Sequence, residues 1–238
     1  MNIKRLGAPL IHALPIGLRE AAQQFAAEVV IRKRHLRGLI KARKYRGRRG
    51  MAMQLGSADK IKEGWVNIDL SLAADLTLDL REPLPFPDNT FRLIYSEHLL
   101  EHLNYPRDIT HLLSECYRVL EPGGIHSFGV PDGELELRHY VTWKNTDPAL
   151  IQAQADADRA NLRWGPSWCR TRMDRVNYFM RQSGEHRWQY DEETMRLLLE
   201  SVGFVEIQRR EFDPELDQEM RRLGTMYMQC KKPESHVH

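Results

Sequence analysis

The sequence predicts an α/β fold with a doubly wound parallel sheet, and three observations lead there. Short apolar runs at Met51 to Leu55, Trp65 to Leu70, Phe91 to Tyr95 and Ile125 to Val130 alternate with helical or turn-forming stretches, a pattern that suits parallel strands joined by crossovers. Small or acidic residues follow these runs, at the strand ends where open α/β sheets bind ligands. Finally, 238 residues at 42% apolar and 29% charged, with a mean hydropathy of −0.56, describe one sizeable globular domain with room for an appendage.

The appendage is the N-terminal part. From Leu18 to Tyr45 the residues Leu18, Ala22, Phe25, Val29, Leu36 and Ile40 recur at helical spacing, which predicts one long helix or two with an apolar stripe. Residues 1–50 hold 13 Lys and Arg against 2 acids, whereas the remainder holds 22 against 31. The stretch 31–49 has no acid at all, and Gly47 and Gly50 loosen the chain after it. A basic helical extension over 1–50 and a catalytic domain over 51–238 are the expected division, and removing 1–49 is expected to leave the domain intact.

No window reaches eighteen apolar residues, and Leu6 to Leu18, the nearest approach to a signal core, is interrupted by His12 and Pro15. The expected location is cytoplasmic, at the inner face of the membrane if the basic segment rests there. Cys116, Cys169 and Cys230 form no C-x-x-C, so they read as reduced thiols, with no disulfide framework and no zinc knuckle.

Within the domain, Met51 to Leu55 is the first strand, and Gly56-Ser57-Ala58 after it lets backbone amides approach a ligand. Only Asp59 to Val66 separates it from the second strand, so the first crossover helix shrinks to about a turn. Asp69 ends the second strand, where a carboxylate can accept from two vicinal ribose hydroxyls. Asp79 ends a third, Leu78-Asp79-Leu80, in reach of an exocyclic amine. The fourth strand is Phe91 to Tyr95. Ile109 to Leu120 carries a helical apolar face, Pro122-Gly123-Gly124 stops it, and Ile125 to Val130 is the fifth strand. About fifty residues without clear periodicity follow, an insertion at 133–189 holding Trp143, Trp164, Trp168 and Trp188. Asp191 to Ser201 is the last helix, Gly203 its stop, and Val205 to Phe212 and Met226 to Cys230 the closing strands.

In order, Leu55-Gly56-Ser57-Ala58, Gly64-Trp65-Val66-Asn67-Ile68-Asp69, Asp79-Leu80, Pro83-Leu84-Pro85-Phe86-Pro87-Asp88, Glu97-His98-Leu99-Leu100-Glu101-His102 and Arg118-Val119-Leu120-Glu121-Pro122-Gly123-Gly124 resemble class I S-adenosylmethionine-dependent methyltransferases of the small type 11-like group, in which close relatives serve glycan and cell-envelope pathways. The tail, 190–204 and 224–233, resembles the family's last helix and closing strands. The resemblance implies a Rossmann-like, mostly parallel seven-stranded sheet with S-adenosyl-L-methionine as cofactor. By the same resemblance Gly56, Ser57 and Ala58 would line the methionine part, Asp69 with Leu70 the ribose, Asp79 with Leu80 the adenine, and Ser96 with Glu97 would close the pocket. The chain departs from the pattern at Ala58, where the family usually has glycine.

Three residues are candidates for the chemistry. His98, just past the fourth strand, is placed to act as a base; Asp132 in Pro131-Asp132-Gly133 ends the fifth strand and is placed to orient a hydroxyl, or to serve as an ordinary turn residue; His186 precedes the last helix at the presumed pocket edge. His98-Leu99-Leu100-Glu101-His102 also matches the inverted zinc-protease string H-x-x-E-H. That reading is set aside because no third ligand is apparent in the sequence, leaving no metal expected and a structural role for His102. No N-P-P-Y element is present, which argues against amino groups of nucleobases or glutamine as acceptors.

The insertion's aromatics, with Arg159, Arg163, Arg170, Arg172 and Arg175, suit sugar rings and anionic groups, or form a small core of their own. The expected activity is O-methylation of a sugar or another small hydroxyl-bearing acceptor. Its rivals are methylation of RNA or another macromolecule gripped by the basic segment, and a non-catalytic interaction module on the same fold. The basic helix itself has three readings: packing on the domain or on a second copy in a homodimer, contact of 31–49 with an anionic membrane, or binding of nucleic acid, the last disfavoured by sparse aromatics.

Overall fold

The computed structural model describes residues 15–144, 166 and 168–234. Its centre is a seven-stranded sheet in the order β3-β2-β1-β4-β5-β7-β6. The strands are β1 (Met51–Leu55), β2 (Val66–Asp69), β3 (Leu76–Thr77), β4 (Phe91–Glu97), β5 (Leu120–Pro131), β6 (Val205–Arg209) and β7 (Thr225–Lys231). All neighbouring pairs are parallel except those of β7, which runs antiparallel to β5 and β6. The expected Rossmann-like architecture is therefore present. Chain reversal beside β1, between β2 and β4, gives the switch point where such sheets bind ligands.

Among the described residues five α-helices accompany the sheet: α1 (Ile16–Ala42), α2 (Arg107–Val119), α3 (Gly133–Lys144), α4 (Arg172–Arg181) and α5 (Glu192–Val202). α2 places Ile109, Leu112, Leu113, Cys116 and Val119 in the core at 0–1% exposure, the face its spacing dictated. α5 begins on the Asp191 side chain, which accepts from the Thr194 amide at 2.8 Å, and ends at Gly203 with φ +106°, so both of its stops are chemical.

Several expectations need correction. The third strand lies at Leu76–Thr77, two residues earlier than Leu78 to Leu80, so Asp79 sits in the loop after it. Pro122-Gly123-Gly124 stops α2 but lies inside β5, which starts at Leu120 and changes register against β4 between Phe91 and Leu93. Gly123 tolerates this at φ +74°. The first crossover keeps only a turn, Lys60 N donating to Ser57 O at 2.8 Å. The insertion is more regular than its composition implied: α3 and α4 flank a stretch whose Trp164, Arg159 and Arg163 lie outside the described residues. The Thr171 and Asp174 reciprocal cap starting α4 is a sequence signal that was legible.

The N-terminal helix packs on a different face from the one its apolar stripe suggested. Leu18, Phe25, Leu36 and Ile40 are 46–72% exposed, while His35, Gly38 and Ala42 are buried. The reason is backbone proximity: a Cβ on Gly38 would stand 2.3 Å from Thr77 O. Thr77 Oγ1 donates to Arg34 O at 2.8 Å, and the Asp79 amide donates to His35 Nδ1 at 3.1 Å. A division at residue 50 therefore leaves the second half of α1, with the buried Tyr45, on the sheet. No helix among the described residues is long and apolar enough to cross a membrane.

His126 is a buried exception in the core. It is 0% exposed, neither ring nitrogen has a hydrogen-bond partner, and burial pushes its pKa down to about 4. The unfolded chain takes up this proton below about 6.5, so the stability its neutral form sustains is lost as pH falls from there to 4, by about 3 kcal/mol. His126→Leu is expected to be at least as stable at pH 7 and to lose that part of the acid sensitivity, measured by urea midpoints at pH 7 and 4.5. An unchanged pH dependence in the variant would show that His126 does not titrate in this way.

Candidate active site

The carboxyl ends of β1, β2 and β4 carry the first group of expected residues. Gly56 has φ +68° and its amide donates to Ile68 O at 2.8 Å, fixing the turn after β1. Leu99 lies against this glycine, 3.1 Å from where a Cβ would be. Ala58 adopts φ +45°, a left-handed conformation that glycine enters without strain and alanine does not. What holds it there is Asp69: Oδ2 accepts from the Ala58 amide at 3.0 Å and Oδ1 from the Ser71 amide at 2.6 Å. Each of those oxygens keeps a further lone pair.

Asp79 is differently engaged. Its carboxylate takes a two-pronged contact from Arg81, at 2.7–3.1 Å, and Arg81 in turn reaches Glu28 on α1 at 2.8 and 3.0 Å. Burial works to raise its pKa, but Arg81 outweighs it and holds the group below the usual range. Asp79 thus anchors the N-terminal helix. Leu80 is buried beside it, and Leu70 O accepts from Arg34 at 2.7 Å, tying the same helix to the end of β2.

Ser96 and Glu97 end β4. The loop between β6 and β7 lies over them, with Tyr227 of β7 beside it: Glu97 accepts from Tyr227 Oη at 3.1 Å and from the Gln218 amide at 3.3 Å, and burial raises its pKa. Arg210 pairs with Asp217 at 2.6 Å, and Asp217 also accepts from Tyr95 Oη at 3.1 Å. None of the contacts these residues make with β4 was anticipated from the sequence, since partners 121 to 130 residues apart leave no local signal.

Three catalytic candidates come together. His98, Asp132 and His186 all line one cavity of about 330 Å³ beyond β4 and β5, with Arg175, Tyr178 and Phe179 from α4 and Arg221 from the β6–β7 loop. His98 takes φ +52°, a strained conformation for a non-glycine residue. Its Nε2 lies 2.8 Å from Thr225 Oγ1, whose own proton goes to Arg221 O at 2.6 Å. Nε2 must therefore be the donor, leaving a lone pair on Nδ1. Burial, then Arg221, push the His98 pKa down to about 3. Asp132 caps α3, Oδ1 accepting from the Leu135 amide at 2.9 Å, and Oδ2 is 3.3 Å from Arg209. His186 has Nδ1 2.8 Å from Phe179 O. Beneath them lies Glu101, fully buried, with no hydrogen bond to either oxygen and a pKa pushed up by burial to about 8.

The cofactor expectation can be tested on these atoms. Asp69 retains acceptor capacity at the end of β2, and the buried hydroxyls of Ser57 and Ser96, at the ends of β1 and β4, have no partner. Unspent polar atoms at the switch point fit a bound ligand with hydrogen-bonding groups.

Residues 52–128, from β1 into β5, match the family model described as a methyltransferase domain. A demethylmenaquinone methyltransferase of Chlamydia trachomatis is 54% identical over 41 residues, 17% of this chain and 17% of that protein. The matching segment thus spans about a sixth of the curated relatives. Among solved structures, a complex of the Haloferax volcanii Trm112 methyltransferase activator and a putative methyltransferase aligns at 15% identity over 90% of this chain and 96% of that one, with a TM-score of 0.49. A methyltransferase from Archaeoglobus fulgidus aligns at 16% identity over 82% and 93%, with a TM-score of 0.44.

The fold is Rossmann-like, and residues 52–128 within it match the methyltransferase-domain model. S-adenosylmethionine is the cofactor of that domain, and Asp69, Ser57 and Ser96 are the residues here that fit it.

Proposed function

We propose that the protein transfers a methyl group from S-adenosylmethionine to a hydroxyl of a small, sugar-like acceptor. The observation carrying this reading is the cavity that unites His98, Asp132 and His186 with two aromatic rings, Tyr178 and Phe179, and two arginines, Arg175 and Arg221. Its volume is in the range of small-molecule sites, and rings beside charged and polar groups suit a polyhydroxylated ligand with an anionic substituent.

The cofactor brings a methyl group already activated on a sulfonium. The protein then needs to bind, orient and accept one proton. Asp69 holds the ribose hydroxyls and Ser57 and Ser96 meet the cofactor's polar groups. Tyr178 and Phe179 present faces to the acceptor, while Arg175, held by Glu136 at 3.1 Å, fixes one side of the cavity. His98 Nδ1, the ring nitrogen that its bond to Thr225 leaves free, accepts the hydroxyl's hydrogen bond and orients it toward the methyl, and with its low pKa the ring relays the proton to solvent instead of keeping it. Asp132 and His186 position the residues around it.

The test supplies methyl-labelled cofactor with a panel of free and phosphorylated sugars, amines and RNA, and compares wild type with His98→Ala. Label in an alkali-stable sugar ether, with turnover reduced at least tenfold and S-adenosylhomocysteine affinity unchanged in His98→Ala, is expected. Label recovered on nitrogen or on RNA would replace the acceptor assignment, and equal loss of binding and turnover in the variant would remove His98 from the chemistry.

A further inference from the structure

Glu101 poses a problem that the methyl-transfer reading leaves unanswered. It is fully buried and neither carboxylate oxygen has a hydrogen-bond partner, yet three imidazoles converge on its Oε1: His98 Nδ1 at 3.7 Å, His102 Nε2 at 3.9 Å and His186 Nε2 at 4.0 Å. The far nitrogen of each ring is spoken for. His102 Nδ1 lies 3.1 Å from Glu185 O and His186 Nδ1 lies 2.8 Å from Phe179 O, and a carbonyl can only accept, so both rings are protonated at Nδ1. His98 is protonated at Nε2 by the argument from Thr225 above. All three rings therefore turn a lone pair toward a carboxyl that offers at most one proton, so at least two of the three lone pairs stay unmatched unless something positive lies between them.

We propose that Glu101, His102 and His186 bind a divalent transition-metal ion, with His98 beside it at the cavity wall. One oxygen of Glu101 and one nitrogen of each of these two histidines lie within 4.8 Å of one another. Ligands about 2.0–2.1 Å from a tetrahedral zinc ion are roughly 3.3 Å apart, so the pairs at 3.9 and 4.0 Å need to close by well under an ångström. Two histidines and one carboxylate form a known open-site ligand set for zinc and for iron(II). The carbonyls of Glu185 and Phe179 supply the outer hydrogen bonds that orient metal-binding imidazoles and fix their tautomer.

The third ligand arrives from far along the chain. Glu101 and His102 lie in the short 3-10 turn Leu100–His102 after β4, whereas His186 follows α4 and is brought back by Arg187 N donating to Glu101 O at 2.7 Å. The spacing that appeared to lack a partner is thus completed by the segment before α5. Because His186 and His98 line the cavity, the ion would offer a Lewis acid to an oxygen donor there. The site stands on its own ligands and does not depend on which acceptor the cavity takes.

The experiment is titration of the chelator-treated full-length protein with zinc by calorimetry, and with cobalt(II) by visible absorption, for wild type, His102→Ala, His186→Ala and Glu101→Gln. Thermal unfolding of every variant establishes that each is folded. One equivalent binding at micromolar affinity or tighter, with at least a tenfold loss in each of the three variants and a d–d band lost alongside, is expected. If Glu101→Gln proves unfolded, the two histidine variants carry the decision. No saturable binding at millimolar metal would overturn the proposal and leave a shared proton as the occupant. So would binding that all the folded variants retain, since the metal would then sit elsewhere.

Discussion

Asp69→Ala is expected to weaken S-adenosylhomocysteine binding by about ten- to a hundredfold, roughly 1.4–2.8 kcal/mol. The substitution removes two things at once. One is the pair of acceptors that the ribose hydroxyls would use. The other is the anchor of the Ala58 amide, 3.0 Å from Oδ2, which keeps an alanine at φ +45°, a conformation that costs an alanine on the order of 1 kcal/mol. With that bond gone, the loop after β1 relaxes toward negative φ and its amides leave the ligand's side. Calorimetric titration separates this from unfolding, because the enthalpy falls with the thermal midpoint changed little. Asp69→Asn, which keeps one acceptor, is expected to fall between wild type and alanine. Affinity unchanged in the alanine variant would remove Asp69 from the cofactor site.

Gly38→Ala is expected to destabilise the protein by about 3 kcal/mol, although glycine to alanine within a helix ordinarily stabilises by nearly 1 kcal/mol. The sign reverses because the new methyl would meet backbone, Thr77 O at 2.3 Å and Thr77 C at 2.9 Å, which cannot rotate away. Either α1 lifts from β3, losing the Arg34 and His35 bonds, or β3 shifts and takes Asp79 and the Arg81 to Glu28 pairing with it. Gly17 on the same helix has nothing within 4 Å of a Cβ, so Gly17→Ala is the matched control and should be neutral or stabilising. Equal denaturation midpoints for the two variants would contradict the packing of α1 described above. The same contacts mean that removing 1–49 strips a cover from Leu76 and Leu78, at 0% and 1% exposure, rather than trimming a separable tail.

How far the sequence could be read depends on whether the determining forces are local. α2 and α5 were legible because period and caps are local: Ile109 to Val119 repeats at helical spacing, and Asp191 and Gly203 punctuate α5. β1, β2 and β4 were legible from apolar runs ending in small or acidic residues. β3 was misplaced because two residues of strand, Leu76–Thr77, leave no run to recognise, and Leu78 to Leu80 is equally apolar. The face of α1 was misread because the apolar stripe is the usual guide, whereas a glycine permitting backbone contact decides here. In the site, His98 and Asp132 were found from strand-end logic and His186 from its place before the last helix, and the three line one cavity. The direction of each polar atom was not accessible: Asp132 toward the Leu135 amide, Asp79 toward Arg81, and His186 toward Glu101 each depend on residues that only the fold brings close.

The most direct measurement of the central claim is calorimetric titration of the purified full-length protein with S-adenosylhomocysteine. Saturable one-to-one binding at micromolar affinity, reduced at least tenfold in Asp69→Ala, is the predicted result. Heats indistinguishable from dilution up to millimolar ligand, with and without a phosphorylated sugar present, would contradict it and leave the fold without the cofactor on which the proposed chemistry depends.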